Sequence, residues 1–263
     1  MPGCGWGEDP EELHQARVAT RRVRSALRTF RDVLEPGWAA SLRDRLRSLA
    51  DALGDVRDTE VLRDTFRSRE PMLPESDRKG LEELVTLVEM ARDEMRERLL
   101  VAIREPAYVS LLDELVDAAR EPRVLEEAAA SPAATALRPC IARPWSHLER
   151  AVEQARDDGS DASLHGVRIR AKRARYAAEA VSPVFGKRAE AFAEAAAALQ
   201  DVLGAHQDSV VARAWLRQAA ASGGDAFVAG ELSAIEAQAA ATARATWPKA
   251  WKTLSRKRLR FWA

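Results

Sequence analysis

The chain has 263 residues, 46% hydrophobic and 31% charged, enough to bury a sizeable core as one large or two small domains. Lys plus Arg equals Asp plus Glu at 41 each, so net charge selects no class of partner. Alanine, leucine, arginine and glutamate dominate and β-branched runs are scarce, which favours an all-α fold over any sheet.

Charge is unevenly spread. Between Leu13 and Arg31 there are six arginines and no carboxylate, whereas acidic residues gather at Glu75 to Glu97, Glu105 to Glu127 and Glu149 to Asp161. Cys4 and Cys140 suit neither a disulfide framework nor a zinc site, which predicts a reducing compartment. There is no apolar run of about 18 residues and no secretory h-region, so a cytoplasmic protein with no membrane segment is expected.

Taken in chain order, periodicity and punctuation predict a first helix from Pro10 to Leu34, stopped before Pro36. A second runs from Trp38 to Leu53 with Gly54 as its C′ residue, and Asp58 starts a third that reaches Arg69. After the Pro71 to Pro74 break, Ser76 opens a long helix to Arg104, and Pro106 sits in the first turn of the next. Pro122 and Pro132 bracket the middle of the chain, which divides it into a first bundle over residues 1–130 and a second over residues 131–263. In the second half a helix from Ala133 to Arg156 turns at Asp157-Asp158-Gly159 into one from Ser163 to Val181. A turn at Pro183, a helix ending at Gly204 and another starting near Asp208 complete the pattern.

The two halves share motifs. His14-x-x-Arg17-x-x-x-Arg21-Arg22-x-Arg24 returns as His165-x-x-Arg168-x-x-x-Lys172-Arg173-x-Arg175, displaced by 151 residues. Leu49-x-Asp51-x-Leu53-Gly54-x-x-x-Asp58-x-x-Val61-x-Arg63 returns as Leu199-x-Asp201-x-Leu203-Gly204-x-x-x-Asp208-x-x-Val211-x-Arg213, displaced by 150. Two blocks in one order imply an internal duplication with pseudo-twofold symmetry. A full helix precedes His165, but only the glycine-rich Met1 to Asp9 precedes His14, so the opening helix of the first bundle is expected to be missing.

At about 100° per residue, His14, Arg17, Arg21, Arg24 and Arg28 fall in a stripe roughly 80° wide, with Val23, Leu27, Phe30 and Leu34 opposite. Like charges at i, i+3 and i+4 cost about 0.2–0.5 kcal/mol per pair, so fold stability alone does not select such a stripe. Salt bridges to neighbouring helices could explain one copy. Two copies at identical intervals point instead to an anion, since the guanidinium fork grips phosphate oxygens bidentately. A histidine beside bound phosphate would be held protonated and add a donor.

Two other readings compete. Asp51, Asp58, Asp201 and Asp208 could hold magnesium in a metal-dependent polyphosphate- or triphosphate-processing enzyme, although Leu-Gly followed by Asp also reads as a helix end and the next cap. His14, His147, His165 and His206 show no metal-ligand spacing, and no phosphate-cradling loop, activated nucleophile or other cofactor signature occurs, so no catalytic residue, metal or cofactor is expected. The Trp247 to Ala263 tail interleaves aromatics with cations, as single-stranded nucleic-acid binders do; the plainer reading is that Trp251, Phe261 and Trp262 pin the tail to the bundle.

The segments Leu13 to Arg24 with Leu53 to Asp58, and Leu164 to Tyr176 with Leu199 to Gly204, resemble the CHAD domain, the conserved histidine α-helical domain. The resemblance implies two helical bundles related by pseudo-twofold symmetry around a basic central channel that binds inorganic polyphosphate. It places the family's histidines at His14 and His165. The basic positions fall on Arg17, Arg21, Arg22, Arg24, Arg168, Lys172, Arg173 and Arg175, with Arg28, Arg43, Arg47, Arg170 and Tyr176 as extensions of the same surface. It further implies a CYTH-type triphosphatase domain or a polyphosphate granule as partner.

Overall fold

The computed structural model describes residues 10–263, with the side chains of residue 13 and residues 15–263. Met1 to Asp9, Cys4 and the His14 side chain therefore lie outside the described residues. Within them nine α-helices and no strand are found. Their order is α1 (Pro10–Thr29), α2 (Pro36–Arg69), α3 (Arg78–Arg104), α4 (Pro106–Arg120), α5 (Glu126–Ala130), α6 (Ala133–Asp158), α7 (Asp161–Phe185), α8 (Lys187–Ala221) and α9 (Ala226–Leu254). No helix here is long and apolar enough to cross a membrane.

Several boundaries follow the expected chemistry. Pro106 opens α4, where its missing N–H costs nothing. Gly159 ends α6 at φ +59°, returning its N–H to Ala155, and the Ser160 hydroxyl then accepts the Ser163 N–H to cap α7. Gly186, at φ +61°, stops α7 rather than Pro183, which lies inside the helix. α1 stops at Thr29, short of the expected Leu34, where Leu34 forms a single bridge with Val124.

The larger correction concerns Gly54 and Gly204. Neither is a C′ residue: α2 and α8 run straight through them, and neither has a positive φ. Asp58 and Asp208 are accordingly mid-helix residues and not caps. A helical glycine costs about 0.5–1 kcal/mol relative to alanine. Burial of flanking side chains such as Leu53, Val56, Leu199 and Leu203 outweighs that cost.

The chain forms two compact units with limits other than a division between residues 130 and 131. The first contains described residues up to Arg21, with Arg45–Asp113 and Asp208–Ala240; the second contains Arg22–Asp44, Glu114–Gln207 and Ala241–Ala263. Because α2 and α8 are uninterrupted, chain from both sequence halves contributes to each unit.

In the first unit Phe66, Leu81, Leu84, Val85, Val88, Leu216 and Leu232 form the main core, with Trp215 tilted against Phe66 at 5.4 Å. The fully buried Glu236 carboxylate accepts from Arg69 Nε at 2.7 Å and Ser209 Oγ at 2.6 Å, so its charge is compensated. A smaller cluster joins Leu53, Val56 and Leu99 to Leu13 and Ala16 of α1.

The second unit packs α6 along α7, and small residues such as Ala171, Ala174, Ala178, Ala193 and Ala196 let helices approach closely. Its aromatic centre carries out the structural role expected for the tail. Trp145 stacks on Trp251 at 5.3 Å, and Phe261 and Trp262 pack edge-on near Phe192. Arg260 lies 5.0 Å over Trp145 and donates to Glu149, which orders the last residues.

Candidate anion-binding site

The predicted basic residues lie on α1 and α7, and the structure distributes them between the units. Arg17 and Arg21 belong to the first, while Arg22, Arg24 and Arg28 join His165, Arg168, Lys172, Arg173 and Arg175 in the second. α1 is amphipathic as expected: Leu27 is buried and Phe30 packs on the second unit's core, while Arg22 is exposed and Arg24 and Arg28 are half-buried.

In the first unit, Arg17 lines a cavity of about 450 Å³ with Arg57, Arg63, Arg92 and Arg96. Its charge is largely compensated. Arg57 meets Glu60 at 3.0 Å, Arg63 meets Asp64 at 2.7 Å, Arg92 meets Asp93 at 2.7 Å and Arg17 lies 4.0 Å from Asp58. The hydrogen bond that Arg63 donates to Asp64 raises the Arg63 pKa above its ordinary value, against a smaller opposing effect of burial.

The second unit is different. Arg28, Arg31 and Arg43 meet Arg143, Arg170 and Arg173 round a cavity of about 190 Å³, where Asp32 is the carboxylate among the described lining residues. The surplus of positive charge is felt by its neighbours. Burial lowers the His147 pKa, and Arg150, Arg170, Arg31 and Arg173 lower it further. Burial and then Arg170 depress Arg173. Arg22 lies beside this region, facing Tyr176 and Glu179 across a neighbouring cavity that also shares Ser25.

Further along α7, His165 Nδ1 and Arg168 Nε are buried without a hydrogen-bond partner. They are one helical turn apart. The Gln200 Oε1 of α8 is likewise buried and unpartnered, one turn before Gly204, against which Arg168 packs. Folding alone gives little reason to hold such atoms, because buried polar groups are overwhelmingly paired.

Arg175 behaves otherwise. It donates to Glu179 at 2.7 Å and lies 5.8 Å from the Tyr176 ring centroid. Burial would lower its pKa, but Glu179, through its hydrogen bond and charge, raises it. Among the described residues, no three His, Cys, Asp or Glu side chains come together as a metal-binding group.

Arg31, Arg143 and His147 were missed as site residues by the sequence reading. Arg143 and His147 are spaced i, i+4 on α6, a signal available in the sequence but lying outside both repeated blocks. Cys140, next to them, is a buried free thiol pushed up to about 11, first by burial and then by Asp32, and is therefore inert as a nucleophile.

The family model of the CHAD domain matches residues 4–217. The chain belongs to the CHAD domain family. Among curated relatives of this CHAD domain, "Uncharacterized protein Rv2226" of Mycobacterium tuberculosis H37Rv is 36% identical over 249 residues, covering 89% of this chain and 46% of that protein. "Uncharacterized protein MT2285" of strain CDC 1551 is 35% identical with the same coverage. The chain thus spans about half the length of the curated relatives it matches. Among solved structures, the CHAD domain of the plant Ricinus communis superposes with TM-score 0.71 at 30% identity, covering 94% of this chain and 82% of that one. PptA from Streptomyces chartreusis superposes with TM-score 0.77 at 24% identity, covering 93% and 90%, and shows the shared fold.

Proposed function

We propose that this CHAD domain is a non-catalytic module that binds inorganic polyphosphate through the basic faces of α1 and α7, and that the two faces descend from an internal duplication with pseudo-twofold symmetry. The observation that carries this reading is the second unit's cavity, where Arg28 of α1 meets Arg170 and Arg173 of α7 with Asp32 as the lining carboxylate. The cationic faces would exchange their counterions for successive phosphates, so affinity falls steeply with salt. His165 Nδ1 and Arg168 Nε supply buried polar atoms that a phosphate chain and its hydration can satisfy.

Polyphosphate is favoured over nucleic acid because its charge density is high and it carries no bases to accommodate. The tail aromatics that could have stacked bases, Trp251, Phe261 and Trp262, are buried in the core. The setting that fits is the cytoplasm, with a CYTH-type triphosphatase domain or a polyphosphate granule as partner. Competition tests the ligand class: long-chain polyphosphate should displace single-stranded RNA at equal phosphate concentration. Displacement in the opposite sense would overturn the reading.

A further inference from the structure

We infer that the 190 Å³ cavity of the second unit is a discrete pocket for a compact phosphate-class anion of one or two phosphate groups, completed by Arg143 and His147 of α6. This deepens the proposed function by giving one part of the basic surface its own ligand, and it rests on that reading only where the anion is the end of a polyphosphate chain.

Size sets the ligand class. Pockets for drug-sized molecules are roughly 300–1,000 Å³, and a space of about 190 Å³ suits one or two tetrahedral phosphates. Charge sets it too. Arg28 comes from α1, Arg31 from the turn that follows it, Arg43 from α2, Arg143 from α6, and Arg170 and Arg173 from α7, so guanidiniums face the space from four helices. Convergence from several helices suits a tetrahedral group, whose oxygens diverge, better than a planar carboxylate.

Asp32 orders this arrangement without neutralising it. Its carboxylate lies 2.5 Å from Arg143 Nη1 and 3.6 Å from Arg31 Nε, so it acts as a positioning residue for the guanidiniums of α6 and of the turn after α1.

His147 provides an internal reporter. Burial, together with Arg150 on its own helix, Arg170 and Arg173 on α7 and Arg31 beyond α1, holds its ring below the ordinary pKa, while Asp32 is the acidic group lining the same space. A bound dianion reverses that field, so its arrival raises the ring's titration midpoint, and binding tightens as pH falls through that midpoint.

The test uses the full chain and pyrophosphate, by titration calorimetry and by NMR of the His147 ring. Pyrophosphate is expected to bind, to move the ring's titration upward, and to bind about tenfold more weakly in both Arg143→Gln and His147→Gln, whose side chains are exposed enough to leave folding intact. Circular dichroism verifies the folded state of each variant. Absence of pyrophosphate binding, or binding that neither substitution weakens, overturns the pocket. Long-chain polyphosphate titrated separately reports on the proposed function, so either idea can fail alone. If the chain displaces pyrophosphate, the pocket takes terminal phosphates; if it does not, the pocket takes a free small anion, and both results support the inference.

Discussion

Arg168 packs against the backbone of Gly204: a β-carbon added at residue 204 would lie 3.7 Å from Arg168 Nε, an ordinary contact distance. Gly204 therefore lies inside α8 beside a basic residue of the repeated ridge, and does not have the helix-ending role its sequence context suggests. Gly204→Ala should fit and stabilise the helix by about 0.5–1 kcal/mol, whereas Gly204→Leu should push Arg168 aside and weaken polyphosphate binding about tenfold. Melting curves and binding isotherms on the two variants separate these effects. Equal binding by wild type and the leucine variant would detach Arg168 from the ligand.

Gly54 gives the companion experiment, because nothing lies within 4 Å of the β-carbon it lacks. With α2 continuous through this position, Gly54→Ala should raise stability by about 0.5–1 kcal/mol. A helix stop there with positive φ would give a loss of similar size. Thermal or urea unfolding distinguishes gain from loss.

These two glycines also mark where sequence and structure part. The apolar period of α1 and α7, the cap at Ser160, the left-handed Gly159 and the Pro106 start were legible because each depends on chemistry within one turn of helix. Whether α2 and α8 continue through glycine depends on distant residues that bury Leu53 and Leu203, and no local pattern carries that information. The site shows the same limit. The helical stripe exposed Arg28 and repetition exposed Arg173, while Arg31, Arg143 and His147 meet them only through tertiary packing. Arg175 fits the repeated spacing equally well, yet Glu179 one turn later engages it.

The buried carboxylate of Glu236 should be costly to strand. Arg69→Met leaves it with the Ser209 hydroxyl in place of a charged partner, and a loss near the lower end of the range for broken buried pairs, about 3 kcal/mol, is expected because Arg69 itself is partly exposed. Urea unfolding of Arg69→Met measures it, and the double variant Arg69→Met with Glu236→Leu should recover much of the loss. A null effect in the single variant would show the pair to be dispensable.

Acid sensitivity is expected from His206. The ring is 1% exposed, 3.2 Å from Asp161, with Arg244 bonded to the same carboxylate. Burial lowers its pKa, Arg244 adds to that, and Asp161 opposes both without prevailing. The unfolded chain therefore takes up this proton more readily than the folded one. The histidine's contribution is complete above the unfolded pKa of about 6.5 and is lost as pH falls through the depressed folded value. Wild type should lose more stability between pH 7 and pH 5 than His206→Gln. Parallel curves for the two proteins would contradict this.

The most direct test of the central claim is calorimetric titration of the full chain with polyphosphate of defined length at low and high salt. The account predicts tight binding that weakens steeply with salt, about tenfold weaker binding in each of Arg21→Ala and Lys172→Ala, and no shortening of the polymer when Mg²⁺ is present. Absence of binding by the wild-type chain, or polymer cleavage that Asp51→Asn or Asp201→Asn abolishes, would contradict it.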